Sequence, residues 1–198
     1  HARPPLFRHP FNSLDKMRKI LLLTGLLLLA GACDELPVEV VYRSLEGRQG
    51  VFIACEGNFM YGNSSLSFYD RESGEVYNEL FFARNHAPLG DVAQSLFTDG
   101  LRLFVVVNNS GKVVALDPET LEFRGVVTGL TSPRHIHMTN DTTAWVSDLY
   151  AGGITVFDPR TFRKKGFIPL PGGRQGGAGH ATQQVAQAGN EVFVTCWS

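Results

Sequence analysis

The segment Cys55–Ser65, CEGNFMYGNSS, places an acid, amides, aromatic side chains and a methionine between two apolar runs. Aromatic side chains offer rigid contact area and amides offer directed hydrogen bonds, which together suit a large neutral or amphipathic ligand. The alternative is that Asn, Asp and Gly are present only for turn geometry, which would explain about half of the candidate binding residues. The candidate ligand-binding residues are Glu56, Asn58, Tyr61, Asn108, Arg134, Asp148, Tyr150, His180 and Trp197.

Residue patterns for catalysis or metal binding are weak. His135 and His137 are two residues apart, so on a strand they point to the same side. A His-x-His pair can bind a metal, but no third ligand stands nearby in the sequence. A metal-dependent hydrolase would need more acids than Asp91 and Asp148. We therefore expect no enzyme, no bound metal and no cofactor.

The elements that would position these residues form a repeat. Similar apolar runs begin at Val51, Leu103, Ala144 and Val192, so they are 52, 41 and 48 residues apart. Each of the first three is followed by a second apolar run and a turn, and a further strand is predicted on either side of this pair. The unit is thus four strands in about 41 to 52 residues, as in a β-propeller blade.

A turn acid recurs in register, at Asp70, Asp117 and Asp158. In the form Asp-Pro-x-Thr, the acid caps a type I turn and proline presets φ at the next position. This regularity favours an all-β propeller with four-stranded antiparallel blades over a β-sandwich. A propeller needs about 4–8 blades to close, so residues 50–198 would hold about three and a half blades, as the N-terminal part of a longer protein. The first blade would lack its innermost strand.

The strands of a blade are labelled A to D from the channel outward. Because neighbouring strands alternate in direction, the B–C and D–A loops share one face, here the loop face. The A–B and C–D turns share the opposite turn face and barely change in length between units. Insertions therefore lie on the loop face, which predicts the binding face. Counting back from strand B, Gln94, His135 and Gln183 fall at one position of strand A and are predicted to line the channel, where water-bridged amides are the alternative.

The N-terminal region is predicted to be a leader and an anchor. Residues 1–16 would be upstream read-through, or else a genuine extension. Residues 17–32, MRKILLLTGLLLLAGA, have the charged region, apolar core and small residues of a signal peptide. LLAGAC matches a bacterial lipobox with Ala30 where Leu is preferred, so Cys33 would carry lipid; the alternative is an ordinary exported cysteine. Residues 33–49 would be a tether.

The two remaining cysteines and the net charge give further expectations. Cys55 and Cys196 occupy equivalent places in separate repeats, so their Cα atoms should be too far apart for a disulfide, and we expect buried free thiols. A net charge of −1 with 19% charged residues gives no sign of nucleic-acid binding.

VFIACEGNFMYGNSSLSFYD, VVVNNSGKVVALD, GLTSPRHIH, VSDLYAGGITVFDP and TCWS resemble the YVTN/YncE-like seven-bladed propeller lipoproteins of Bacteroidota, over Gly50 to Ser198. The acids Asp34 and Glu35, directly after Cys33, are similar to the surface-export signal of lipoproteins in that phylum.

The resemblance implies a cell-surface lipoprotein of the outer membrane. Some members of the group capture cobalamin and pass it to a TonB-dependent outer-membrane transporter, so the expected ligand is cobalamin or another corrinoid. Other members are surface-layer or YncE-like proteins, so the alternative is a protein- or peptide-binding scaffold. A metal-dependent propeller hydrolase is the least favoured option.

Overall fold

The computed structural model describes residues 16–20, 40–172 and 179–197. The chain divides into two units, His1–Glu39 and Val40–Ser198. Of the first unit only residues 16–20 are described, and they are helical. The predicted lipidation site Cys33 and most of the predicted leader lie outside the described residues. Among the described helices, none is both long enough and apolar enough to span a membrane.

The second unit consists of antiparallel sheets arranged in chain order. Two sheets have four strands, with the orders β4-β5-β6-β7 and β8-β9-β10-β11. They are flanked by a three-stranded sheet, β1-β2-β3, and a two-stranded sheet, β12-β13. The elements are β1(Gly50–Cys55), β2(Ser65–Asp70), β3(Val76–Tyr77), α1(Leu80–Asn85), β4(Ala93–Thr98), β5(Leu103–Val107), β6(Lys112–Leu116), β7(Phe123–Val127), β8(Pro133–Asn140), β9(Thr143–Asp148), β10(Gly153–Phe157), β11(Lys164–Pro169), β12(Ala181–Ala188) and β13(Glu191–Trp197). The predicted fold class, an all-β propeller of four-stranded blades, is confirmed. Among the described residues no strand pairs with the inner side of β1, as predicted for the first blade.

Hydrophobic side chains pack between the blades. Strand β5, Leu103–Val107, is fully buried, and its alternate residues face opposite sides of its sheet. One set packs with Leu66 and Phe68 of the first blade. The other set packs with Val146 and Phe157 of the third blade. Because burying one such side chain contributes about 1.5–3 kcal/mol, this stacking holds neighbouring blades at a fixed spacing.

The repeated acids build the same turn in three blades. The carboxylates of Asp70, Asp117 and Asp158 each accept the backbone N–H two residues later, at 2.9 to 3.0 Å. The backbone carbonyl of each acid accepts the N–H four residues later. The turn is therefore one residue longer than the predicted type I turn, and its last residue is left-handed, with φ of 58° at Leu121 and 60° at Phe162.

The repeat predicts a full outer strand after the turn at Asp70, in the segment VYNELFF, but the outer edge of the first blade is built differently. Strand β3 has only two residues and is followed by α1. Leu80, Phe81 and Ala83 are buried on one side of this helix. Left-handed backbone at Glu79, with φ of 55°, turns the chain out of the sheet and starts the helix. Part of the extra length of the first unit is thus a helix at the blade edge rather than a loop.

The thiols of Cys55 and Cys196 are both free, but they are not buried as expected. Cys55 is half-buried and Cys196 is exposed. Cys196 is exposed because β13 is paired only with β12, and most of its residues contact solvent.

Residues 40–49, which end the predicted tether, contact the turn face. The N–H of Leu45 donates to the carbonyl of Glu119 at 2.9 Å, and the side chain of Leu45 is buried. The hydroxyl of Tyr42 donates to the carbonyl of Thr120 at 3.0 Å. The guanidinium of Arg48 pairs with the buried carboxylate of Asp70. The segment is therefore fixed across the turns of the first two blades.

Candidate functional site

The loop face is formed where strands β1, β5, β9 and β13 end and the following loops begin. Aromatic and sulfur-containing side chains project from these loops into solvent. Their exposed fractions are Phe59 64%, Met60 73%, Tyr61 78%, Tyr150 71% and Trp197 62%. Phe59, Met60, Tyr61 and Tyr150 lie on loops at one edge of the blades, and such a group of exposed apolar side chains is typical of a contact surface. Trp197 is exposed like most of strand β13, which pairs with β12 alone among the described residues.

The long loop between β1 and β2 is anchored to the second blade. The N–H of Met60 donates to the carboxylate of Asp91 at 2.9 Å. The side-chain amide of Asn109 also donates to Asp91 and lies 3.8 Å from the sulfur of Met60. The hydroxyl of Ser64 donates to the carbonyl of Gly90 at 2.7 Å. These bonds fix the base of the loop while its aromatic side chains stay exposed.

The predicted contact residues in this loop have different surroundings. Glu56, Asn58 and Tyr61 are exposed. Asn58 contributes backbone groups to the loop, because its N–H donates to the Asn63 side chain at 2.7 Å and its carbonyl accepts from Tyr61. The side chains of Glu56, Asn58 and Tyr61 thus remain accessible to a ligand.

Asp148 is enclosed by backbone donors. It is fully buried, and its carboxylate accepts N–H groups from Thr131, Ser132, Tyr150 and Ala151 at 2.9 to 3.0 Å. Its acceptor positions are filled by the two adjoining loops. Asp148 therefore shapes the loop face and is not placed to touch a ligand.

Asn108 has a similar structural role in the second blade. Its side-chain amide donates to the hydroxyl of Ser132 and to the carbonyl of Pro133, both at 2.9 Å. These bonds join the second blade to the third beneath the loop face. The sequence also gave no sign of Thr182, whose buried hydroxyl accepts the N–H of Asp148 at 2.7 Å.

The inner strands carry a polar bridge centred on Arg134. The Nε of Arg134 donates to the side-chain oxygen of Gln183 at 2.8 Å, and Nη1 donates to that of Gln94. The three residues occupy equivalent positions, because each directly follows a strand-A residue that pairs near the loop-face end of strand B. These pairs are Ala93 with Val107, Pro133 with Asp148 and Thr182 with Cys196. Arg134, and not His135, is therefore the structural equivalent of Gln94 and Gln183. Strand β8 contains one extra residue at a register shift between Met138 and Asn140. Counting back from strand B in the sequence therefore reached His135 instead of Arg134.

His135 lies one position further along and borders a cavity. With residues of β12 and β13 it lines a space of about 370 Å³. Burial, and then the positive charge of Arg134, lowers the pKa of His135. The backbone N–H of His135 donates to the Ser147 hydroxyl at 3.1 Å. A neutral imidazole is thus favoured beside the guanidinium.

His180 and His137 are not brought together with other metal ligands. The backbone N–H of His180 donates to the carbonyl of Leu170 at 2.8 Å. The ring Nδ1 of His180 is buried without a partner among the described residues. The ring of His137 bonds to the side chain of Gln187 at 3.0 Å. Within residues 16–20, 40–172 and 179–197, no three His, Cys, Asp or Glu side chains are grouped to hold a metal ion.

Solved structures place this architecture among the β-propellers. Dihydro-heme d1 dehydrogenase NirN in complex with DHE is similar with a TM-score of 0.50 and 17% identity, over 73% of this chain and 29% of that chain. This identity supports the fold and nothing further. A protein of Bacteroides fragilis NCTC 9343 designated as exported has a TM-score of 0.46 and 15% identity, over 79% of this chain and 46% of that one. Hydrazine synthase of Kuenenia stuttgartiensis has a TM-score of 0.43 and 22% identity, over 54% and 30%.

The chain covers less than half the length of each of these three structures. None of the curated proteins matches it. The family model for a domain of unknown function, DUF5074, matches residues 49–197. The chain is therefore a β-propeller protein that belongs to the DUF5074 family.

Proposed function

We propose that this protein is a non-catalytic binding propeller whose loop face captures an amphipathic small molecule. The observation that carries the proposal is the set of four large side chains on that face, Phe59, Met60, Tyr61 and Tyr150, which are 64% to 78% exposed. By contrast, Asp148 and Asn108 are occupied by internal hydrogen bonds. Contact area would therefore come from aromatic groups on an anchored loop, and no bond would be made or broken.

The first ligand to test is cobalamin or another corrinoid. A corrinoid combines an apolar macrocycle with a rim of amide groups, so it could stack on Tyr61 and Tyr150 while its amides bond to loop groups such as Glu56 and Asn58. The resemblance to YVTN/YncE-like propeller lipoproteins supports the same ligand. Delivery to a TonB-dependent transporter, from a lipid anchor on Cys33 at the cell surface, completes the proposal and rests on the sequence of residues 17–35.

A titration tests the proposal directly. The full-length protein is titrated with cyanocobalamin, and a shift in its visible absorbance spectrum is the expected result. A triple variant, Phe59→Ser, Tyr61→Ser and Tyr150→Ser, removes three exposed rings. If each ring contributes about 1 kcal/mol, the affinity should fall roughly 100-fold. Phe123→Ser, at a ring 47% exposed on strand β7 away from the loop face, is the control and should leave affinity unchanged.

Two results would contradict the proposal. One is the absence of any spectral or calorimetric change with the wild-type protein, and the other is equal affinity in the triple variant. If corrinoid binding is absent and a protein partner co-purifies through the same aromatic residues, the loop face is a protein-binding scaffold instead.

A further inference from the structure

We propose that Arg134 binds an anionic oxygen group, a phosphate or a carboxylate, at the loop-face end of the channel. This inference deepens the function proposed above, because it assigns a charged group to the ligand that the loop face would hold. It rests on three features of Arg134: the orientation of its guanidinium, the absence of an acidic partner among the described residues and its position in the blades.

The guanidinium is oriented by two neighbouring blades. Nε is taken by Gln183 and Nη1 by Gln94, so the plane of the group is fixed between the second and fourth blades. The carbonyl of Arg134 also accepts the hydroxyl of Ser95 at 2.6 Å. Nη2 has no protein partner among the described residues and is the edge left for a ligand. A fixed, planar cation whose Nη2 keeps its N–H groups free suits a phosphate or carboxylate oxygen.

No acid among the described residues pairs with the positive charge of Arg134. Both partners of Arg134 are neutral amides, although the residue is half-buried. In the described part of the chain, the six ion pairs involve other arginines. The charge acts on its surroundings, because it contributes to the lowered pKa of His135. A half-buried cation without an acid gains most from a bound anion, since screening by water is reduced there.

The position fits a ligand on the loop face. Arg134 lies one residue from Pro133, which pairs with Asp148 at the end of strand β9. Tyr150 leaves the same strand end two residues beyond Asp148 and is exposed. A ligand stacked on the aromatic loops could therefore direct an acidic substituent toward the channel and reach Nη2.

The test is a calorimetric titration of the full-length protein with inorganic phosphate, at low ionic strength. Wild-type protein should bind phosphate, and Arg134→Gln should weaken binding by about tenfold or more, because a charge-assisted hydrogen bond is lost. Arg163→Gln, which removes an exposed arginine, is the matched control and should bind like wild type. Sodium acetate, titrated in parallel, distinguishes a carboxylate site from a phosphate site.

A second variant keeps the arginine and the fold. Gln94→Glu is nearly isosteric and places a carboxylate against Nη1, so the guanidinium gains an internal counter-charge. We expect a loss of phosphate binding similar to that of Arg134→Gln, with no loss of stability. The proposal would be overturned if wild type bound neither phosphate nor acetate, or if both variants bound the anion as wild type does.

The proposed function and the anion site can fail separately. Phosphate binding that depends on Arg134, together with no response to cyanocobalamin, would reject the corrinoid ligand and support the anion site. Cyanocobalamin binding by wild type with no phosphate or acetate binding would reject the anion site and retain the proposed function.

Discussion

Asp148 provides the sharpest test of the division between architecture and binding on the loop face. Its carboxylate is fully buried and joins two loops through backbone N–H groups of Thr131, Ser132, Tyr150 and Ala151. Asp148→Asn keeps the shape of the side chain and replaces one acceptor oxygen with an NH₂ group. The variant therefore removes hydrogen bonds without leaving a cavity.

The expected loss in the free energy of unfolding follows from the hydrogen bonds that each carboxylate oxygen of Asp148 accepts. Oδ1 accepts from Ser132, Tyr150 and Ala151, whereas Oδ2 accepts from Thr131 and Ser132. If the amide keeps its oxygen at the Oδ1 position, the donors at Oδ2 face an NH₂ group. The N–H of Thr131 then loses its only acceptor, whereas the N–H of Ser132 keeps its bond to Oδ1. One N–H group left without its charged acceptor costs roughly 1–3 kcal/mol, so the free energy of unfolding should fall by about 2 kcal/mol. For a chain of this size, that corresponds to a fall in Tm of roughly 4–8 °C.

Urea denaturation followed by circular dichroism measures this loss. Asp141→Asn, at an exposed acid in the β8–β9 turn, is the matched control and should change stability by less than about 0.5 kcal/mol. If Asp148→Asn unfolds at the same urea concentration as wild type yet loses affinity for ligand, Asp148 is a ligand contact and the structural assignment is wrong.

Two further outcomes concern turns and packing. A hydrogen bond from Arg124, and then one from the N–H of Thr120, lowers the pKa of Asp117 from 3.8 to about 2. The stabilisation is therefore complete above pH 4 and lost as the pH falls toward 2, and Asp117→Asn should flatten this part of a stability–pH curve; parallel curves would contradict the assignment. Gly125→Ala should destabilise by roughly 1–3 kcal/mol, because a Cβ would lie 2.1 Å from the Phe162 ring, whereas Gly166→Ala, at the equivalent position with open space, should be neutral in thermal melts. Equal melting temperatures for the two variants would contradict this packing.

The repeat architecture could be predicted because its causes are local. The continuous apolar run of β5, LFVVV, and the acid of each C–D turn are visible in a single sequence, and they encode strand and turn directly. The register of β8 could not be predicted. Its extra residue between Met138 and Asn140 leaves no mark in composition, so counting assigned His135 to the position that Arg134 occupies.

The candidate site was predictable in residue type but not in the role of each side chain. Tyr61 and Tyr150 were expected on the loop face and are exposed there. Asp148 has the same polar character in sequence as a ligand contact, but long-range backbone donors at Thr131 and Ser132 saturate it. Whether a polar group is free depends on contacts between blades, which a sequence pattern does not contain.

The docked segment at residues 40–49 also determines how the domain would bear mechanical load. A pull transmitted from the chain before Val40 would first strain the bonds of Tyr42 to Thr120 and of Leu45 to Glu119, on the turn face. The pair of Arg48 with Asp70 would resist next. Tension on the N-terminal side is therefore taken up at the turns of two blades, and the loops of the opposite face keep their geometry while the segment holds.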